Sequence, residues 1–215
     1  MRSGPRTLTP FALAAAVLLA GAAAPARADE APQWGQERGF SIGLKYLVDG
    51  LGADASPDPA QPAIDDMGAG LVLCGGYTFT PRFHVRLTAG SARHGTAVEG
   101  LDVERSLATL EAHYRFAPGR QVCPYVFGSL GGTEVRADKG IDHVKFSGGM
   151  AGLGAGVLVG LTRHVAMDVT GRVDGVNWDK AEWSQDTSGG TIKFEDPIED
   201  SGGSARLELG FLWRF

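Results

Sequence analysis

Three groups of residues have the types that could do chemistry. His84, Glu111 and His113 lie on two neighbouring segments of alternating polarity, and two imidazoles with a carboxylate can hold a transition metal. If residues whose numbers sum to about 195 pair across that hairpin, His84 faces Glu111 and His113 sits one diagonal step away. The arginines around them oppose a cation, so the expectation is lumen polar residues, with no metal and no cofactor. Ser91 with His94, and Ser147 with His143, offer the nucleophile and base of an acyl-transfer or deacylation site, which must lie within hydrogen-bond reach. No local motif sets either pair apart, and no catalytic residue is assigned. Finally, Trp178, Trp183 and Phe194 stand among Asp179, Glu182, Asp186, Glu195, Asp196, Glu199 and Asp200. Such aromatics could grip a partner or a glycan. They could equally be cross-strand pairs of an extended hairpin. The spacing of the acids matches no calcium loop.

The elements that would position these groups read as strands. Apolar or alternating runs occur at about 39–47, 68–79, 82–90, 105–117, 122–131, 149–161, 164–174 and 204–215, and no helical period appears after the leader. The third run sets Phe83, Val85, Leu87 and Ala89 against His84, Arg86 and Thr88. The last sets Leu207, Leu209, Phe211, Trp213 and Phe215 against Arg206, Glu208 and Arg214. One polar face therefore carries Lys45, Arg86, Arg115, Arg172, Arg206 and Arg214 with Glu111, Asp168, Asp174 and Glu208. Frequent glycine leaves the faces of the fifth and sixth runs unassigned.

Connections alternate in length. Short ones fall at Thr80–Pro81, 118–121 and 162–163, and long ones at about 48–67, 91–104, 132–148 and 175–203. In an antiparallel meander this places every short turn at one end and every long connection at the other, as in outer-membrane barrels. Met1–Ala28 has early arginines, an apolar run over Phe11–Ala24 and Ala26-Arg27-Ala28, the pattern of a secretory signal peptide. Residues 29–215 are then the barrel. Loss of Arg2, Arg6 and Arg27 moves the formal charge from −5 to about −8, which disfavours nucleic acid as a partner. Only Cys74 and Cys123 are present, on strands not expected to be neighbours, and whether they are bridged stays open.

Alternation alone does not decide which face is inside. A soluble calyx would put the apolar face inward. Aromatics on the apolar parity up to Phe215, the sorting of connections by length, and strand lengths suited to a tilted membrane crossing favour the reverse. The expectation is an all-β, eight-stranded antiparallel up-and-down transmembrane β-barrel after a cleaved signal peptide.

The chain resembles small outer-membrane β-barrels of the OmpA/OmpX kind. The likeness rests on Pro124-Tyr-Val-Phe-Gly-Ser-Leu-Gly-Gly132, on Gly152-Leu-Gly-Ala-Gly-Val-Leu-Val-Gly-Leu161 with Val165-Ala-Met-Asp-Val169, and on Leu207-Glu-Leu-Gly-Phe-Leu-Trp-Arg-Phe215. It implies outer-membrane lipid as surroundings and Phe211, Trp213 and Phe215 as a signal to the barrel-assembly machinery. OmpA-type proteins often continue into a peptidoglycan-binding domain, and none is seen here, so a barrel without a wall anchor is expected. Such barrels serve adhesion, envelope integrity, complement evasion and lipid chemistry. The expected function is non-enzymatic: envelope integrity, or recognition of an extracellular ligand or host surface through Trp178, Trp183 and Phe194. Lys45, Arg86, Glu111, Arg115, Asp168, Arg172, Arg206 and Glu208 would plug the lumen. A gated pore, a lipid-modifying enzyme and a soluble binder are the alternatives.

Overall fold

A computed structural model describes Trp34 and residues 37–52, 64–96, 101–187 and 190–215. The signal-peptide expectation lies outside these residues. The strands are β1 (Gly39–Gly52), β2 (Ile64–Thr78), β3 (Phe83–Thr96), β4 (Leu101–Arg115), β5 (Val122–Lys139), β6 (Asp142–Gly160), β7 (Val165–Thr187) and β8 (Gly190–Arg214). Each pairs antiparallel with its sequence neighbours, and β8 pairs with β1 to close the ring. Closure leaves no strand edge without a partner, which a bilayer requires because its core offers backbone groups no water.

Alternation decides the inside. Phe40, Ile42, Leu44 and Tyr46 of β1 point out, whereas Ser41, Lys45 and Asp49 are buried. The same division holds on β3, β4, β7 and β8, so the apolar parity is the outer surface. Along β4 it runs from Phe116, just past the strand, to Ala108, and about nine tilted residues span about 21–23 Å, close to the ~25 Å band of such barrels. Aromatics gather at its turn end, where Phe40 packs on Tyr77 at 4.8 Å and Tyr77 on Phe79 at 4.9 Å. Rings at that level suit a membrane–water boundary.

The parity of β5 and β6, unreadable in the sequence, has a packing cause. Tyr125, Phe127 and Ser129 of β5 point inward and pair with Gly156, Gly154 and Gly152 of β6. The glycines lack side chains where the rings of β5 lie, so both strands look apolar on both faces.

Three expectations are corrected. The β3–β4 register sums to 197 rather than 195, so His84 faces His113 and Arg86 faces Glu111. The segment 132–148 is two paired strands, with Lys139 opposite Asp142 and Gly140 at a left-handed φ of 62° between them. Residues 175–203 are likewise strand, paired up to Thr187 and Gly190. Strands β1–β4 have 14 or 15 residues and β5–β8 have 18, 19, 23 and 25. Among the described residues, the paired wall of β5–β8 therefore reaches further than that of β1–β4 at the end opposite the short turns.

Candidate functional site

Among the described residues, the lumen holds seven buried cations (Lys45, Arg86, Arg105, Arg115, Arg172, Arg206, Arg214) and five buried anions (Asp49, Glu111, Asp168, Asp174, Glu208). Charges in a low-dielectric space must pair or bond. Most do, in three groups. Near the long-connection end, Arg105 Nη1 donates to both oxygens of Asp49 at 3.0 Å and Nε donates to Thr133 Oγ1. His94 Nε2 lies 3.5 Å from the same carboxylate. In the middle, Asp174 takes Arg172 Nη2 at 2.6 Å and Arg206 Nη2 at 2.7 Å. Arg172 also donates to Glu111 at 2.7 Å and to Ser129 at 2.7 Å, with its guanidinium 5.5 Å from the Phe127 ring. Toward the turns, Asp168 takes Lys45 at 2.8 Å, Arg86 at 3.0 Å and the Tyr125 hydroxyl at 2.6 Å, and Lys45 reaches Glu208 at 3.1 Å.

Of the residues read as a charge plug, Lys45, Arg86, Asp168 and Glu208 thus share one group, and Glu111, Arg172 and Arg206 another. Arg115 is in the lumen but touches no carboxylate among the described residues; it lies 5.1 Å from the Trp34 ring. The assignment missed Arg105, Asp49, His94 and Tyr125. Asp49 and His94 fall within stretches read as loops, although their alternation with outward neighbours continues that of β1 and β3.

The metal and acyl-transfer arrangements take definite geometries. His113 Nε2 bonds Glu111 Oε2 at 2.9 Å, while His84 packs edge-on to His113 at 5.7 Å and meets Thr78 Oγ1 through Nδ1. No group of three or more His, Cys, Asp or Glu among the described residues is placed to hold a metal ion. Ser91 and His94 occupy opposite faces of β3. Ser147 and His143 are four residues apart on β6, about 13 Å in an extended strand, and His143 Nδ1 bonds Asp138 at 2.7 Å. Cys74 and Cys123 are both free thiols, buried in an apolar cluster with Trp34, Leu158, Ala166 and Leu212.

Phe211, Trp213 and Phe215 all face outward on β8, and the Phe215 amide donates to the Phe40 carbonyl, pinning the last residue to β1.

Above the apolar band the division of faces reverses. Register aligns Arg136, Lys145, Glu182 and Glu195 across β5–β8, and Asp138, His143, Ser184 and Lys193 beside them, on the face that meets lipid lower down. The lumen face becomes apolar there, with Val135, Ala137, Val144, Phe146, Ala181 and Trp183. Such a wall suits water outside rather than lipid. Its charged face is laced by Lys145–Glu134 at 2.8 Å, Lys180–Glu182 at 2.7 Å and Lys180–Glu195 at 3.1 Å. The hydrogen bond from Lys180 holds the Glu182 carboxyl below its ordinary pKa and, with that to Glu195, holds the ammonium above its own. Surface pairs of this kind add little stability. A cleft of about 400 Å³ lies at this tip, lined by residues of the charged face and by Trp183 and Phe194 of the opposite face. Those two rings pair across β7 and β8 and stack at 5.5 Å, with 40% and 55% of their surface exposed. Trp178 is separated from them by the bulge at Asp179 and instead packs against Leu107, Met150 and Val176. The three aromatics are therefore split: two at the tip and one lower in the wall.

No curated protein sequence matches this chain. Solved barrels share its fold. Neisserial surface protein A aligns at 15% identity over 83% of this chain and 99% of its own, with a TM-score of 0.59. Ail, the attachment invasion locus protein of Yersinia pestis, aligns at 16% identity over 82% and 99%, with a TM-score of 0.54. OprG of Pseudomonas aeruginosa aligns at 16% identity over 86% and 99%, with a TM-score of 0.51. The family model for the outer membrane protein beta-barrel domain matches residues 12–214. With its ring of eight strands, lipid-facing apolar belt and ion-paired lumen, the chain belongs to the outer membrane protein β-barrel domain family and is a protein of the bacterial outer membrane.

Proposed function

We propose that this barrel is a non-enzymatic surface-recognition protein whose contact region is the tip formed by β5–β8. The observation that carries the reading is the exposed Trp183–Phe194 stack beside the 400 Å³ cleft. Exposed aromatics on a rigid wall give large contact area at little entropic cost. Around them stand Arg136, Lys145 and Lys193 against Asp138, Glu182 and Glu195, three charges of each sign. A balanced cleft with aromatic stacking suits a polar ligand rich in hydrogen-bonding groups, such as a glycan. Ail has been crystallised with the heparin analogue sucrose octasulfate, so sulfated glycans belong among the ligands tried. The separation of each Ser from its His supports the non-enzymatic reading. We also propose that Phe211, Trp213 and Phe215 engage the barrel-assembly machinery.

The test compares cells carrying the full chain with cells in which residues 181–196 are replaced by a tight turn, and with a Trp183→Ala/Phe194→Ala variant. Glycan arrays and adhesion to epithelial monolayers are the readouts. All three proteins are expected to reach the outer membrane and shift on boiling, and the two variants to lose binding. Unchanged binding by folded variants overturns the aromatic stack as the contact and moves the surface to 48–67 or to the β5–β6 side of the tip in 132–148. If the full chain binds nothing, the filled lumen favours envelope integrity instead.

A further inference from the structure

We propose that the periplasmic end of the lumen binds a small monovalent anion, of the size of chloride, between Arg115, Trp34 and His84. The charge pattern leads there. Each of the five buried carboxylates already holds at least one of Lys45, Arg86, Arg105, Arg172 and Arg206. The two cations in excess, Arg115 and Arg214, lie at the same end of the barrel. Arg214 sits at the mouth, donating to the Arg38 carbonyl at 3.3 Å with Glu37 3.9 Å away. Arg115 is 2% exposed and has no ion pair among the described residues. An arginine cannot shed its proton to escape burial, so its charge calls for a counter-ion.

The donors are there to hold one. Arg115 Nη1, Trp34 Nε1, His84 Nε2 and Arg86 Nη2 are all buried and without a hydrogen-bond partner. The first three lie at the turn end: His84 faces His113 and Arg115 lies two residues nearer the turns on the same face of β4, whereas Arg86 lies two residues the other way, beside Asp168. His84 Nδ1 and Thr78 Oγ1 are 3.1 Å apart, and in the tautomer where the hydroxyl donates, His84 Nε2 carries the proton and is a donor. The Arg115 guanidinium carbon lies over the Trp34 ring, 5.1 Å from its centre, which brings the indole and the guanidinium to the same end of the lumen. Unpaired buried donors are rare in folded proteins, and three at one end of the lumen, on Arg115, Trp34 and His84, mark a site for an acceptor. Water would satisfy the donors, and only an anion also offsets the charge.

The refolded full chain is heated in detergent while chloride or bromide replaces gluconate at constant ionic strength. The unfolding midpoint is expected to rise saturably with either halide. Trp34→Phe, which keeps the ring and removes the N–H, should move half-saturation to roughly tenfold higher halide, and Arg115→Met should abolish the response. Crystals grown in bromide supply an answer that does not depend on variant folding: an anomalous peak within hydrogen-bond distance of Arg115 is expected. A midpoint indifferent to the identity of the anion overturns the proposal. So does a carboxylate seated on Arg115 in that map, or a bromide peak only on the outer surface, which is an adventitious ion only.

Discussion

Gly154→Ala should destabilise the barrel far more than one methyl group ordinarily can. An added Cβ at this inward position of β6 would fall inside the contact radius of the Phe127 ring carbons and 2.7 Å from the Gly171 carbonyl oxygen. Carbon atoms pack at about 3.5–4.0 Å, so the overlap with the ring exceeds 1 Å by this measure. The ring has little room to give way. It stacks on His113 at 4.8 Å and 14° on one side, and Arg172 stands over it at 5.5 Å. Arg172 in turn is fixed by Asp174, Glu111 and Ser129. Overpacking of this kind costs about 1–3 kcal/mol, or more where the neighbours are held. Gly128→Ala is the control, because its Cβ would meet only Leu153 at 3.7 Å on the lipid face, and a change within about 0.5 kcal/mol is expected there. Reversible urea unfolding in lipid vesicles measures both. Phe127→Ala alone should cost about 3–5 kcal/mol, yet combined with Gly154→Ala the loss should fall clearly short of the sum. Recovery will be partial, since the Gly171 carbonyl remains. Equal effects of the two glycine substitutions, or strict additivity with Phe127→Ala, would refute the idea that glycine on β6 is a socket for the rings of β5.

Other expectations follow from the placement of faces and ends. Leu209→Arg, on the outward face of β8, should cost about 2–4 kcal/mol near the bilayer midplane in the same titration; a neutral outcome would return the apolar face to the interior. Deleting Phe215, or making Trp213→Ala, should lower the amount of heat-modifiable barrel in the outer membrane, and wild-type levels in both would remove the terminal strand as an assembly signal. Planar-bilayer recording of the pure protein should show no large, stable open level, because side chains fill an eight-stranded lumen; steady conductance would promote the gated-pore reading.

Where a strand crosses lipid, its sequence is forced into strict alternation, and β1, β3, β4, β7 and β8 were legible for that reason. Lys45 and Arg86 could be placed inside from parity alone, because their neighbours Leu44 and Leu87 had to be outside. That constraint fails in two ways. On β5 and β6 the lumen is lined by Tyr125 and Phe127 opposite glycines, so inward residues are no more polar than outward ones, and parity loses its contrast. Above the membrane the contrast returns with the opposite sign. Val135 and Phe146 continue the lumen face, whereas Arg136 and Lys145 continue the lipid face. A reading that looks for apolar residues outside sees only a polar, glycine-rich connection in 132–148, although the pairing continues through it.

The same reversal explains why the tip aromatics divide. Asp179 inserts one extra residue in β7 opposite the step from Ser147 to Gly148 on β6, while on the other side β8 carries one residue more than β7 between Pro197 and Asp200. Without it, Trp178 and Trp183, five apart, would lie on opposite faces of the strand. With it, they share a face at different heights: Trp178 beside Met150 and Val176 where the wall meets the lumen, and Trp183 against Phe194 where it stands exposed. A bulge changes which residues can act together without changing their types. Its position is fixed by pairing between strands, and spacing along one strand does not encode it. The chemistry-bearing residues were therefore visible in the sequence, while the grouping that gives them a use, Arg105 with Asp49 or Trp183 with Phe194, belongs to the register.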